Sequence, residues 1–311
     1  MMNLQYAFLF VMAFLPSVLA KSGGGVPAPT TSGGTAPTPV NSGVAGDPHI
    51  KSWAGEWFDY HGACDLKLIH VPRFQGKADL DIHVRATQRY EYSFIETAAV
   101  RLGNDTLEVS AWGEYAFNGV DGALINTGTE AEETNLRGKN PVIISTIGGY
   151  PIIHTPRPAG KNTHRFDIIL SDDSKIAMSI LKDIVSVKVR NATLEDFGKV
   201  VGLLGDFHGS MLARDGVTDL SEHMNAMGQE WQVRDDEPML FQAARAPQYP
   251  AKCILPDLTK AKEARRLGEG ITEESAKLAC AHLKEDPGAF RNCVYDVTAT
   301  NDLDMATSGA F

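Results

Sequence analysis

Basic residues are in short supply: 29 Lys and Arg stand against 39 Asp and Glu, for a formal net charge of -10 and a pI near 5.4. A phosphate-binding surface would have to be assembled against that field, so nucleic acid is not an expected partner. Long apolar runs are missing too. The run from Ala7 to Leu15 falls well short of the roughly 20 residues a membrane-spanning helix needs, and nothing later in the chain approaches that length. Cysteine is scarce, with four residues and no CxxC pair, which removes the main support for zinc or thioredoxin-type chemistry. HExxH, GxSxG and a framed pair of carboxylates are all absent. The nine histidines fall in none of these frames, and His208 beside Ser210 in "FHGSM" is a sequence neighbour with no geometry behind it. A turnover enzyme is therefore not expected.

What is present begins with "MMNLQYAFLFVMAFLPSVLA". Its apolar segment is followed by Pro16 and by small residues at Val18 and Ala20, which reads as a secretory signal over residues 1–20, although its n-region holds no Lys or Arg. Residues 21–45, "KSGGGVPAPTTSGGTAPTPVNSGVA", carry Lys21 as their one charge and no aromatic residue. Such a stretch buries too little apolar surface to offset chain entropy, so a flexible, O-glycosylatable tether is expected there. The folded region is expected from Gly46. For a secreted chain the sequons at Asn104 and Asn191 become glycosylation candidates. The even cysteine count, Cys64, Cys253, Cys280 and Cys293, suits an oxidising compartment and allows three pairings.

Between residues 46 and about 190 the hydrophobic period is two. Leu80, Ile82 and Val84 alternate with Asp81, His83 and Arg85; Phe166, Ile168 and Leu170 form a second such set; Val185, Val187 and Val189 form a third. Turn chemistry at "GND", "NGVDG" and "SDDS" separates these half-buried strands, and Asn104 falls at a strand tip. Beyond Pro256 the composition favours helices. Thr272 suits an N-cap, the helix it opens should end before Pro287, and a Cys280–Cys293 bond would staple a small helical hairpin.

The passage "GDPHIKSWAGEWFDYHGACDLKLI" resembles the opening of the von Willebrand factor type D domain, GDPH followed by G-x-x-Y-x-F-x-G-x-C-x-Y-x-L. Gly55, Phe58, Tyr60, Gly62, Cys64, Leu66 and Leu68 occupy those spacings. Farther on, "VVGLLGDFHG" (200–209) resembles that family's G-L-C-G-N-F-N-G segment, and "MGQEWQVRDDEPMLF" (227–241) its F-G-N-S-W-R-V close. The resemblance covers about Gly46 to Phe241 and implies a mainly β fold, an antiparallel β-sandwich type D domain over 46–245; the composition beyond it, not the resemblance, adds a small disulfide-stapled α-helical C-terminal tail over 246–311.

The resemblance implies more. It pairs Cys64 with Cys253, leaving Cys280 for Cys293. Leu204 stands where the family carries the GLCG cysteine, so covalent multimerisation through that thiol is not expected. It implies a Ca²⁺ ion held by oxygen ligands, for which Asp206, His208, Asp215 and Asp219 are the candidates; Ala54 replaces the expected aspartate, and imidazole is a poor calcium ligand. No other cofactor is called for. In some members the bond between Asp47 and Pro48 breaks without a protease, the Asp47 carboxylate attacking its own carbonyl and His49 serving as proton donor in mild acid. With no cysteine upstream of Cys64, that break would release the tether. Alternatively, GDPH is only a turn at a strand start, with Pro48 where no ladder hydrogen bond is needed. The function implied is that of a secreted structural or adhesive module of the extracellular matrix, binding an extracellular protein, a glycan or its own copies. A secreted small-ligand carrier or inhibitor and, last, a secreted hydrolase are the alternatives.

Overall fold

The computed structural model describes residues 39–46, 48–89, 92–122, 141–156, 163–257 and 270–307. The expected signal and most of the expected tether, together with Asp47, lie outside these residues. The chain is mainly β and builds two antiparallel sheets.

The larger sheet takes β1 (Val40–Ala45), β2 (His49–Lys51), β3 (Trp57–Asp59), β10 (Val142–Ile147), β11 (Tyr150–Pro156), β12 (Thr163–Ile169), β13 (Lys175–Leu181) and β14 (Ile184–Ala192), in the order β10-β11-β12-β13-β14-β1-β2-β3. The smaller sheet runs in sequence order through β4 (Asp65–Val71), β5 (Leu80–Arg89), β6 (Tyr92–Leu102), β7 (Asp105–Ser110), β8 (Tyr115–Phe117) and β9 (Val120–Gly122). Alternation does what period two demands. Ile82 and Val84 of one sheet, and Phe166, Ile168, Val185, Val187 and Val189 of the other, are almost wholly removed from solvent in a shared core with Tyr60, Leu66 and Leu68. Trp53 lies in that core, whereas Trp57 is only partly buried and packs against Gly288 of the tail.

Three expectations change on contact with the structure. The fold begins before Gly46: β1 pairs with β14 on one side and β2 on the other, an interior position in the sheet. The small side chains that suggested a tether are what fit there, since a Cβ on Gly43 would stand 2.2 Å from the Val187 carbonyl oxygen. Second, the polar face of β5 is covered, with Asp81, His83 and Arg85 all buried. A strap over residues 232–254 crosses that face: Arg85 holds Asp65 at 2.6 Å, donates to the Ala243 carbonyl at 2.8 Å and lies 4.4 Å over the Phe241 ring, and Lys67 pairs with Glu237. Third, the strap ends at Cys253, bonded to Cys64, with Ala63 and Ile254 bridged beside it. The expected domain boundary at 245 therefore falls inside the strap.

Among the described residues four α-helices follow or interrupt the strands. α1 (Leu194–Phe197) is capped by Thr193, and α2 (Met224–Glu230) precedes the strap. In the tail, Thr272 caps α3 (Glu273–Ala279) through the Ser275 amide, as its sequence suggests. Asp286 caps α4 (Pro287–Thr300), with Pro287 in the first turn, and Asn301 ends it in a left-handed conformation. A disulfide joins Cys280 to Cys293. The tail is not a free-standing hairpin. Val297, Met305 and the two cysteines share a second apolar cluster with Tyr92, Phe94 and Ile184 of the sheets. No helix among the described residues is long and apolar enough to cross a membrane.

Candidate functional site

Three of the four GDPH residues are described, and each has a local reason to be there. Gly46 has φ +65°, and a Cβ on it would lie 2.5 Å from the Asp296 Oδ2 of α4, so glycine is required both by the backbone and by the approaching carboxylate. Pro48 precedes the first residue of β2, where it owes the ladder no N–H, and its carbonyl accepts from the Tyr60 amide at 3.3 Å. His49 starts β2 directly across from Asp59 of β3.

His49 is 3% exposed and held from two sides. Its Nδ1 lies 2.6 Å from Asp59 Oδ1 and its Nε2 3.1 Å from Asp296 Oδ1, while the Tyr295 ring meets it edge-on at 5.5 Å. Burial by itself disfavours the imidazolium; the charge of Asp296 and the hydrogen bonds that the ring donates to Asp296 and Asp59 outweigh it and raise the His49 pKa to about 10. Asp59 shows the converse balance: burial pushes its carboxyl up, but the His49 hydrogen bond and charge bring it below the ordinary value. Both ring nitrogens of a charged imidazole are thus committed to carboxylates, which suits a clamp and leaves no N–H to offer a leaving proline nitrogen. Two further contacts tie α4 to the same strands: Asp286 takes Lys51 at 2.9 Å and the Trp57 indole N–H at 3.2 Å.

The other segments of the resemblance meet close by. The Trp53 amide donates to the Leu204 carbonyl at 3.3 Å, the Trp53 and Phe207 rings are 5.4 Å apart, and a Cβ on Gly209 would lie 2.9 Å from the Ala54 methyl. The Lys67 amide donates to the Trp231 carbonyl at 2.7 Å and the Val233 amide to Asp65 at 2.9 Å, while Gly228 packs on the Tyr60 ring. Residues as far apart in sequence as Asp65 and Val233 therefore share one corner of the core. No family model matches the chain, and no curated protein matches it.

The calcium candidates are placed differently from one another. Asp206 Oδ1 accepts from the amides of His208 and Ser210, Asp215 Oδ1 from those of Val217 and Thr218, and Asp219 Oδ1 from that of Ser221, so each carboxylate caps its own turn. Among the described residues no three His, Cys, Asp or Glu side chains are gathered to hold a metal ion. Asn104 is exposed in the tight turn between β6 and β7. Asn191 is exposed too, but its Nδ2 donates to the Asp173 carbonyl at 2.9 Å and its sequon partner Thr193 is occupied as the cap of α1.

Sequence reasoning missed Asp59 and Asp296. Asp59 lies one short hairpin away from His49, and the "GDPHIK" and "WFD" alternation could have paired them. Asp296 carries no sequence signal, because the contact joins residues 247 apart.

Proposed function

We propose that this chain is a secreted extracellular binding module built on a von Willebrand factor type D-like domain, and that GDPH is its structural joint. The observation that carries the reading is the convergence of the three motif segments on one corner, with Cys64 bonded to Cys253 as the resemblance implies. The helical tail belongs to the same body through His49 and Asp296. Its role is recognition of an extracellular protein or glycan, with no chemical turnover. Affinity isolation from native extracellular material, with bound species identified by mass spectrometry, tests it: stoichiometric recovery of a matrix glycoprotein or glycan is expected. Recovery of the bare chain together with hydrolytic activity in the same fraction would overturn it.

The joint reading makes a separate prediction about the Asp47 to Pro48 bond. Incubated near pH 5.5 with protease inhibitors, the mature protein is expected to keep its original N-terminus, because the His49 imidazolium is locked in two ion pairs. Appearance of a new N-terminus at Pro48, abolished by Asp47→Ala, would reject the joint as the whole role of the motif. Even then the released piece would not diffuse away. β1 is hydrogen-bonded on both edges, with Val44 and Ala45 buried, so a break after Asp47 leaves the tether held by strand pairing. This argues against the expectation of release, and denaturing against native gel filtration distinguishes the two outcomes.

A further inference from the structure

A cavity of about 980 Å³ lies between the tail and the ends of the β5–β6 and β13–β14 hairpins, apart from the motif corner. Its floor is apolar: Tyr92, Phe94, Ile184 and Met305, each less than a tenth exposed, border it from the second apolar cluster. One face of α4 forms a wall, where Arg291, Val294, Tyr295 and Thr298 recur at helical spacing. Ile271, at the entry to α3, forms part of the rim. The volume is at the upper end of the roughly 300–1,000 Å³ of small-molecule sites.

The mouth supplies the polarity. Three cations reach it, and two are committed: Lys182 pairs with Asp302 and lies 3.6 Å from Asp304, and Arg89 lies 3.8 Å from Asp183 Oδ2 and 5.0 Å over the Trp112 ring. Arg291 is exposed, its Nε donates to Asn292 Oδ1 at 3.5 Å and its charge acts on Asp59 from a distance, but no carboxylate lies within ion-pair reach of it among the described residues. An apolar chamber with one guanidinium at its edge whose terminal N–H groups have no carboxylate partner among the described residues matches an amphiphile bearing a single negative head and an unbranched tail. We propose that the cavity binds a long-chain carboxylate, its chain lying along Tyr92, Phe94, Ile184 and Val294 and its carboxylate on Arg291. A guanidinium suits that head because its planar fork takes both carboxylate oxygens. Such a site goes beyond the binding role proposed above and does not depend on it.

The test uses the full mature chain, delipidated, with displacement of a fluorescent dansyl-undecanoic acid by octanoate, decanoate, dodecanoate and the methyl ester of dodecanoic acid. One site per chain is expected, with affinity rising about fourfold per added methylene until the chamber fills. Arg291→Gln is expected to weaken dodecanoate about tenfold and to leave the ester unchanged. Thr298→Trp, which projects an indole from the α4 wall into the path of the chain, is expected to weaken binding of both, with an unchanged melting temperature as its control. If Thr298→Trp does not fold, the chain-length series and Arg291→Gln decide the matter. Absence of saturable binding, affinity independent of chain length, or equal binding of acid and ester by the unaltered protein would each overturn the assignment.

Discussion

Removing the Cys64–Cys253 disulfide by the paired change Cys64→Ala and Cys253→Ala is expected to lower stability by about 5 kcal/mol, the larger of the two disulfide effects. The bond closes a sequence separation of 189 residues, and the chain-entropy account of cross-links gives about 5 kcal/mol for a loop of that size. The tail bond closes a separation of only 13, for which the same account gives about 3 kcal/mol. Set against the roughly 5–15 kcal/mol that holds a typical domain together, the first loss brings the protein close to unfolding. It also has a local readout. Cys253 anchors the strap, its amide and carbonyl both meeting the Gln229 side chain, and the strap covers Arg85 and His83. Hydrogen exchange in the double variant is expected to rise first in residues 232–254, while β13 and β14 stay protected. Urea melts that show equal losses for the two disulfides, or uniform exchange throughout, would count against both the loop-size argument and the strap.

The alternating strands were legible because period two records which face of a sheet meets a core, and Ile82, Val84, Val185 and Val187 lie where that pattern puts them. The cap at Thr272 was equally local, since its oxygen meets the amide three residues on. What escaped the sequence was coverage. His83 and Arg85 look like a solvent face until the strap from residues 232–254 closes over them, Asp81 being covered instead by its partners His70 and Arg101, and no local pattern marks a strand that will be covered on both sides. The same holds for β1. Gly43 and Ser42 read as linker composition, yet an interior strand squeezed between β14 and β2 needs small residues for the reason a linker has them, namely little side-chain volume. Half of the clamp on His49 was out of reach as well. A histidine after Asp-Pro suggests titration near its ordinary pKa of about 6.5, and only the arrival of Asp296 from the far end of the chain turns it into a core group that keeps its charge up to about pH 10.

That arrival defines the second large effect. At pH 6.5 Asp296→Asn is expected to destabilise the protein by about 3–5 kcal/mol, the range for breaking a buried ion pair on one side, because the His49 imidazolium keeps only Asp59, which is 42% exposed. The sign of the pH dependence follows from the raised pKa. Folded His49 holds its proton up to about pH 10, whereas in the unfolded chain it loses it near 6.5, so its contribution is complete below pH 6.5 and fades as pH rises toward 10. The slope is about 1.4 kcal/mol per pH unit. The total stability of the unaltered protein does not display this slope cleanly. Buried Lys188 has its pKa lowered to about 7, by burial first and then by Arg190, Arg165 and Lys51, and it contributes with the opposite sign over the same window. The difference between the two proteins cancels Lys188 and isolates His49. Urea melts at pH 6.5, 8 and 9.5 are therefore expected to show the penalty of Asp296→Asn shrinking steadily and nearly vanishing by pH 10. On the acid side, the lowered pKa of Asp59 makes the clamp weaken as pH falls through the carboxylate range. A penalty that stays constant from pH 6.5 to 9.5 would mean that His49 is neutral in the fold. The joint between GDPH and the tail would then be held by packing against Tyr295 and by Asp286, without the two ion pairs.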